Sequence, residues 1–581
     1  MADRPHNPRR WLFVGGLEAL ATIAIASVFY IHSFLERVEY ARRPGWFTDD
    51  VRIGIWPFFR YSEPSAWTGD YLGDYALAIK PSLFRGLYTV AGYLDAADAL
   101  SRGLPILFQV GCAVVAALVA RQLAGSGGPA ASVFTATTIF GSSYVFERLA
   151  GGLARSFAFP VIAVGLYALV SGRVVLLAVT VVLASGLYPP VGVVLGLTLA
   201  GWLLLTGPDN RGSAGQWSAA RRWAVVAVTA AASLAVVFPT MSAVSAYGAP
   251  IGEASFGQFP EALRGLSRGD RPPWSSFGPL LFSSIHRVIE VKTPWWSTPR
   301  EVLGELVFLD ATIAFVVAMS MVRARHDGRM RRVGLFVVAA LLAHMVGRVL
   351  HPAFYVPTRS IHYPLTFCFL VLLAVAAADA GRLLVARWGG PRLGLAAAAV
   401  CCGVSFSVVS GRGVGHAGYA VQLSDAELEP YRAVARLPAA STVAGWPDDT
   451  MSNVPYLARR RCLMTGEMML PFHEGYVHEI RRRLEDVFRA YLAHDPAPLR
   501  VLRDRYSVTH MLVERRHYTT PNVGYIPPVG RLLPSIVRDA REAGGYLLPR
   551  HFESAAVYAD QRVVLLDLER ILADTSSVAG R

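Results

Sequence analysis

The sequence predicts a polytopic α-helical membrane protein with about eleven transmembrane helices and a small C-terminal α/β domain. Three observations predict this fold class. Hydrophobic residues make up 53% of the 581 residues and charged residues only 17%, whereas an average soluble domain has about 25% charged residues. Apolar segments long enough to cross a bilayer recur between residues 11 and 410. From about Gly411 onward, charged residues return and short helix and strand patterns alternate.

The apolar segments are the predicted spans. The first is interpreted as a retained signal anchor, because its apolar run is too long for a signal peptide and no small-residue cleavage site follows it. Pro189-Pro190 predicts a break or a very short turn between two spans. The predicted spans are 11–34, 104–123, 131–147, 156–171, 173–187, 190–206, 223–240, 302–322, 333–350, 361–381 and 393–410.

The arginines in the short connections predict the orientation. Alternate connections are rich in arginine, as at residues 323–332, whereas the others contain only Arg148, Arg155, Arg348 and Arg359. Because Lys and Arg favour the cytoplasmic side, the N-terminus is predicted inside and the C-terminus outside. Residues 1–411 then form the membrane domain, with long outer loops at 35–103 and 241–301. Residues 412–581 form the outer α/β domain.

The net charge of +14 is explained by this topology and by contact with anionic membrane lipids. Nucleic acid is not an expected partner. The five cysteines contain no CxxC pair and no disulfide framework.

An acidic pair, Asp49-Asp50, follows the first span and lies on the predicted outer surface. A carboxylate at this place can act as a general base towards an attacking hydroxyl or amine. The alternative is a solvated turn or a helix N-cap, where Asp is common.

The predicted outer connection at 146–156 contains charges at membrane depth. Because intramembrane charge is costly, Glu147 and Arg148 are candidate supporting residues. Arg155, after Gly151-Gly152, is suited to bind a phosphate, since a guanidinium binds phosphate with two hydrogen bonds. The alternative is a structural ion pair of Glu147 with Arg148 or Arg155.

Further outer positions carry Arg348, His351, Arg359 and His362. Arg348 and Arg359 are candidate phosphate ligands, and the histidines are possible supporting residues. Their spacing is not a known zinc pattern. A divalent cation, Mg²⁺ or Mn²⁺, held by Asp49 or Asp50 together with Glu147 is possible, because these ions prefer oxygen ligands. Asp70, Asp74, Lys80 and the cluster Arg459-Arg460-Arg461 are expected on solvated surfaces.

The layout of residues 10–410 resembles the GT-C superfamily of integral-membrane glycosyltransferases, which includes protein O-mannosyltransferases and aminoarabinose transferases. The local likeness to bacterial members runs through Phe47-Thr48-Asp49-Asp50-Val51-Arg52 and on to Asp74-Tyr75. Ala444-Gly445-Trp446-Pro447 and Tyr506–Val513 resemble the soluble domain of the same group. Many members carry an Asp-Glu or Glu-x-Asp pair instead of Asp-Asp, which leaves open which aspartate matches.

The resemblance implies an inverting transfer of a sugar from a polyprenyl-phosphate donor to a glycan, lipid or protein acceptor. Asp49 or Asp50 would be the base, and Arg155, Arg348 and Arg359 would bind the donor phosphate. The expected location is the bacterial inner membrane, with the C-terminal domain on the extracytoplasmic, periplasmic side. The alternatives are a transporter or flippase of lipid-linked glycans, and a non-enzymatic protein of cell-envelope assembly.

Overall fold

The structure is a computed structural model that describes residues 20–22, 24, 31–205, 207, 215–252, 258, 299–350, 358–388, 420–448, 450–519, 533–542 and 545–579. An apolar helical bundle precedes a mixed α/β region. The longer helices of the bundle are Ile31–Arg42, Ala97–Ala124, Gly128–Gly141, Ala158–Val170, Val174–Leu187, Pro189–Leu204, Ala219–Val244, Pro299–Ala324, Gly328–Val349 and Arg359–Trp388.

Within the described residues, four helical segments are long and apolar enough to cross a membrane: Ala97–Gly141, Ala219–Tyr247, Gly328–Val349 and Arg359–Leu383. Shorter apolar helices occupy Ala154–Val170, Val174–Leu187, Pro189–Leu204 and Thr312–Ala324. The helices therefore follow the predicted segments, and the break at Tyr188 confirms the predicted turn before the two prolines. The predicted segment 393–410 and most of 11–34 lie outside the described residues. The total of about eleven spans stays a prediction.

One predicted span, 131–147, is broken. The helix Gly128–Gly141 ends at Ser142, whose side chain caps a new helix, Ser143–Leu149, by accepting from the Val145 N–H at 3.2 Å. A helix break leaves unpaired carbonyl groups that must find donors. Buried Arg37 supplies them, donating to the carbonyl oxygens of Phe140 at 2.7 Å and Gly141 at 3.3 Å.

The first long loop ends at Ala96, seven residues before the predicted boundary, because the next helix begins at Ala97. The loop folds into short helices. Their buried side chains share one hydrophobic core with the C-terminal region. The short helices are Val51–Gly54, Trp56–Tyr61, Pro64–Trp67, Tyr71–Ala78 and Ser82–Tyr93.

The C-terminal region contains a five-stranded sheet. Its strands are β3 (Thr442–Gly445), β4 (Arg461–Cys462), β5 (His510–Glu514), β6 (Ala556–Ala559) and β7 (Val563–Asp567). Their order in the sheet is β4-β3-β5-β7-β6. β3, β4 and β5 are parallel to one another, and β7 is antiparallel to β5 and β6. The helices include Asp425–Ala435, Thr450–Asn453, Val454–Ala458, Gly466–Met468, Glu474–Tyr491, Ala497–Tyr506, Arg516–Thr519, Leu533–Glu542, Leu547–Arg550 and Leu568–Ala579.

Sequence patterns in this region predict a strand that ends in a turn at 442–447, a buried strand at 510–514 and a helix at 474–492. The structure has strands at Thr442–Gly445 and His510–Glu514 and a helix at Glu474–Tyr491. Its predicted apolar face is fully buried, as expected for a helix packed on a sheet. That face consists of Ile480, Leu484, Val487, Phe488 and Tyr491.

A second, two-stranded sheet joins the first loop to the start of the C-terminal region. Strand β1 (Trp46–Thr48) pairs antiparallel with β2 (Ala420–Gln422). The strand β1 ends directly before Asp49, so backbone pairing with a segment about 370 residues away sets where the acidic pair begins.

The helix Ala97–Ala124 separates this assembly from an arginine-rich end of the bundle. Near its start, Arg102 contacts the first loop, and at its end the Ala124 carbonyl accepts from Arg382 at 3.3 Å. Arg329 donates to the neighbouring Gln122 carbonyl at 2.9 Å. A helix of this length is about 40 Å long. The acidic pair and the connections predicted to be cytoplasmic therefore lie at opposite ends.

Arg102 is the main polar junction between the bundle, the first loop and the C-terminal region. Its Nε donates to the Asp98 carboxylate at 2.9 Å, and its Nη2 donates to the Tyr456 hydroxyl at 2.9 Å. Its Nη1 and Nη2 also donate to backbone carbonyls of the turn before β1. Those acceptors are Tyr40, Arg43, Pro44 and Trp46, at 2.9 to 3.4 Å.

We expect Arg102→Lys to destabilise the protein by about 3 kcal/mol, because an ammonium cannot reproduce the fork of donors and leaves buried acceptors unpaired. The measurement is thermal unfolding of the full chain in detergent. Arg432→Lys is the matched control, since Arg432 is half-exposed and pairs only with Glu429 and Asp425 on its own helix. Equal melting temperatures of the Arg102→Lys variant and the unsubstituted protein would show that the Arg102 guanidinium is not required for stability.

Candidate functional site

The two carboxylates of the acidic pair have different surroundings. Asp49 Oδ1 accepts from the backbone N–H of Asp50 at 2.8 Å, which is a local turn interaction. Asp50 occupies the N-cap position of the helix Val51–Gly54, but its side chain makes no capping hydrogen bond. It forms an ion pair with Arg155 instead. The N-cap interpretation therefore does not account for Asp50.

Two glycines place Arg155 against the acidic pair. Gly151 and Gly152 have φ of 84° and 57°, in the left-handed region that favours glycine. A Cβ on Gly152 would lie 2.6 Å from the Tyr88 hydroxyl oxygen and 2.8 Å from the Ser101 Cα. The Gly152 carbonyl accepts from the Tyr88 hydroxyl at 2.6 Å. The chain thus passes close to the first loop and delivers Arg155, on the short helix Ala154–Phe157, to Asp50.

Two buried tyrosines connect the arginines. Tyr188 lies at the break between two bundle helices, and its ring centroid is 5.5 Å from that of Tyr363. Arg155 and Arg359 both lie close enough to act electrostatically on Tyr188. Arg148 lies near Tyr363 in the same way. Three of the four arginines predicted in the arginine-poor connections therefore lie within electrostatic range of one of these two tyrosines, and Arg155 also pairs with Asp50.

Glu147 and Arg148 form the structural ion pair that was the alternative to a functional role. Their side chains form a loose ion pair at 3.7 Å, and the Arg148 guanidinium lies 5.0 Å from the Tyr144 ring centroid. Arg348 and His362 are half-buried, in the last turn of Gly328–Val349 and the first turn of Arg359–Trp388. His351 lies outside the described residues. The phosphate-binding and supporting roles of these residues stay predictions.

The predicted cation ligands, Asp49, Asp50 and Glu147, do not form a group of three carboxylates. Among the described residues, no group of three or more His, Cys, Asp or Glu side chains is arranged to hold a metal ion. Asp50 is engaged by Arg155 and Glu147 by Arg148. The divalent cation stays a prediction, and no catalytic step proposed below depends on it.

The C-terminal region reaches the acidic pair through a residue that sequence reasoning missed. Arg52, on the helix directly after the pair, donates to the Asp49 backbone carbonyl at 3.1 Å and to Glu467 at 2.6 Å. Only the position of Arg52, three residues from Asp49, was a signal in the sequence. Glu467 is 415 residues away, and nothing local marked it.

The cluster Arg459-Arg460-Arg461 is not the solvated surface that was expected. Arg459 pairs with Asp95 at 2.9 Å and Glu63 at 3.5 Å, both in the first loop. Arg461 donates to the Thr68 carbonyl of the same loop. The cluster therefore joins the C-terminal region to the first loop, whose acidic side chains Asp95 and Glu63 neutralise part of its positive charge.

Asp70 and Lys80 also differ from the expected solvated residues. Asp70 is only 4% exposed, with its Oδ2 3.5 Å from Arg60 Nη2. Burial raises the pKa of Asp70 to about 6, although the Arg60 guanidinium opposes part of the shift. Lys80 is half-buried, and burial lowers its pKa to about 8. Both side chains lie in the folded interior of the first loop assembly.

No family model matches the chain, and no curated protein matches it. Among solved structures, the archaeal oligosaccharyltransferase AglB from Archaeoglobus fulgidus, in complex with an inhibitory peptide and a dolichol-phosphate, is similar with a TM-score of 0.43 and 12% identity. The apo form of the oligosaccharyltransferase from that organism gives 0.44 and 12%. Each match covers 85% of this chain and 69% of the other.

ArnT from Cupriavidus metallidurans, in the apo state, is similar with a TM-score of 0.41 and 14% identity, over 94% of this chain and 98% of its own.

We expect Gly152→Ala to lower stability by about 2 kcal/mol, because the new Cβ meets Ser101 backbone and strains a left-handed residue. It should also raise hydrogen exchange in residues 154–157. Gly86→Ala is the control, since Gly86 lies in a helix with no atom within 4 Å of an added Cβ and should be neutral or slightly stabilised. Equal behaviour of the two variants would show that the close approach at Gly152 is not required.

Asp70 predicts a specific pH dependence of stability. Its folded pKa of about 6 lies above the unfolded value of 3.8, so its contribution to stability is present below pH 4 and is lost as the pH rises towards 6. The loss is about 3 kcal/mol. Asp70→Asn should therefore melt progressively higher than the unsubstituted protein between pH 4 and pH 7. A constant difference in melting temperature between the two proteins across this pH range would contradict the raised pKa of Asp70.

Proposed function

We propose that the protein is a membrane-embedded glycosyltransferase that moves a sugar from a polyprenyl-phosphate donor to an extracytoplasmic glycan, lipid or protein. The observation that carries the proposal is the contact between Asp50 and Arg155. It places an acidic pair beside a group of arginines at one end of an apolar bundle. A carboxylate and a phosphate-binding group in contact are the two parts that such a transfer needs.

The proposed reaction is a single displacement at the sugar carbon bound to the donor phosphate. The carboxylate takes the proton of the acceptor hydroxyl, and the acceptor oxygen forms a bond to that carbon. The bond from the carbon to the phosphate oxygen breaks, and polyprenyl phosphate leaves with the electron pair. Attack opposite the leaving group inverts the anomeric centre.

The arginines have a role at the leaving phosphate, where negative charge grows as the bond breaks. Cations already held in place stabilise that charge without reorganisation. Arg155 and Arg359 both act electrostatically on buried Tyr188, which supports assigning the two guanidiniums to one phosphate site. Arg348 is the third candidate from its position.

The two aspartates are assigned different parts. Asp50 is bonded to Arg155, so fewer of its lone pairs face an acceptor, and it orients that guanidinium for the phosphate. Asp49 is then the base. Its Oδ1 bond to the Asp50 N–H holds the carboxylate in one orientation at the end of β1.

The proposed location is the bacterial inner membrane, with the acidic pair and the C-terminal region on the extracytoplasmic side. The support is the arginine-rich end of the bundle, which lies opposite the acidic pair. Arginine-rich connections favour the cytoplasm.

The test uses the full chain in lipid nanodiscs with synthetic polyprenyl-phosphate hexoses and pentoses, and water as the acceptor. We expect release of free sugar and polyprenyl phosphate, detected by mass spectrometry. Asp49→Asn should lower the rate by about 10² to 10⁴, the range for loss of a general base. Asp50→Asn should instead weaken retention of polyprenyl phosphate.

Glu39→Gln is the matched control, because this carboxylate lies on the helix Ile31–Arg42 and pairs with Arg43, four residues further on. It should keep the rate within twofold. Full activity in Asp49→Asn would rule out the proposed base. A flippase would move the donor across the bilayer and leave its sugar–phosphate bond intact.

A further inference from the structure

The backbone turn that carries the acidic pair is bonded to the C-terminal region through Arg52. Arg52 uses all three of its nitrogens. Its Nε donates to the Asp49 carbonyl at 3.1 Å, its Nη2 to Glu467 Oε1 at 2.6 Å and its Nη1 to Asn453 Oδ1 at 3.4 Å. One guanidinium thus joins the turn to two side chains of another part of the fold.

The two acceptors are themselves held in place. Asn453 is 6% exposed, and its Nδ2 donates to the Tyr431 hydroxyl at 3.0 Å, which directs the amide oxygen towards Arg52. Glu467 lies in the short helix Gly466–Met468, whose first N–H donates to the Pro447 carbonyl at 2.6 Å. Both acceptors follow strands of the parallel part of the sheet, so the sheet sets their positions.

The ion pair is partly shielded from water, with Arg52 15% exposed and Glu467 30% exposed at their side chains. Such a pair is screened less than one on the open surface. Three of the five guanidinium N–H groups, one on each nitrogen, have acceptors in the turn and in the C-terminal region. The arrangement is suited to holding the turn.

We propose that Arg52 is a positioning residue for Asp49, and that Glu467 and Asn453 act on the reaction only through Arg52. This inference rests on the proposed function, since it assigns the same acidic pair to catalysis. It adds that the C-terminal region completes the catalytic site by holding the turn. A misplacement of about 1 Å in a catalytic group costs on the order of a hundredfold in rate.

The first experiment is a double-mutant cycle on the donor-hydrolysis rate, with Arg52→Gln, Glu467→Gln and both together. We expect Arg52→Gln to lower kcat by about ten- to a hundredfold, with KM for the donor unchanged, because donor contacts remain. Glu467→Gln should have a smaller effect alone and none when Arg52 is already replaced. Additive losses would overturn the idea that Glu467 acts through Arg52.

The second experiment needs no substrate. Hydrogen exchange of the amides at residues 50–55 should rise in Arg52→Gln and in Glu467→Gln. Arg459→Gln is the matched control, because Arg459 bridges the same two parts of the fold through Asp95 and Glu63. It should leave both this exchange and kcat close to the values of the unsubstituted protein. Unchanged exchange in Arg52→Gln would overturn the positioning role.

The two proposals fail in different ways. If Asp49→Asn keeps full hydrolysis activity, the proposed catalytic base is wrong and the positioning role falls with it. If Asp49→Asn loses activity while Arg52→Gln and Glu467→Gln keep the full kcat, only the positioning role is wrong. Loss of kcat in Arg52→Gln together with raised exchange supports both.

Discussion

The fold around the acidic pair depends on one buried guanidinium, that of Arg102, which donates hydrogen bonds to the backbone carbonyls that precede the pair. Arg102 bonds the carbonyls of the turn at residues 40–46, the Asp98 carboxylate and the Tyr456 hydroxyl. Without such donors, the sharp turn from the first helix into β1 would bury unpaired carbonyls. The junction lets a membrane helix end, a strand begin and the C-terminal region pack within a few residues.

The site is built from segments that meet only through this packing. β1 leads into Asp49 and Asp50, the turn at Gly151 and Gly152 leads into Arg155, and the break between two bundle helices places buried Tyr188 within electrostatic range of Arg155 and Arg359. The ion pair with Asp50 also compensates the positive charge of Arg155.

Local patterns explain which parts could be predicted. Periodicity identified the apolar helices and the face of Glu474–Tyr491, because burial repeats with the geometry of the helix itself. The acidic pair and Arg155 were singled out separately, but their contact was not predicted. The links of Arg52 with Glu467 and of Arg459 with Asp95 were missed, since partners separated by hundreds of residues leave no local trace. Asp70 was misjudged because its burial arises from tertiary packing alone.

The 415-residue separation between Arg52 and Glu467 has a consequence for biosynthesis. At 5 to 20 residues per second, the ribosome adds the partner roughly 20 to 80 s after Arg52. During that time the first loop has emerged, but β2, Asn453, Tyr456 and Glu467 do not yet exist. Its aromatic side chains are then exposed, because the C-terminal residues that complete their hydrophobic core have not been synthesised. The nascent chain therefore needs either a chaperone or the membrane surface to shelter this loop until synthesis is nearly complete.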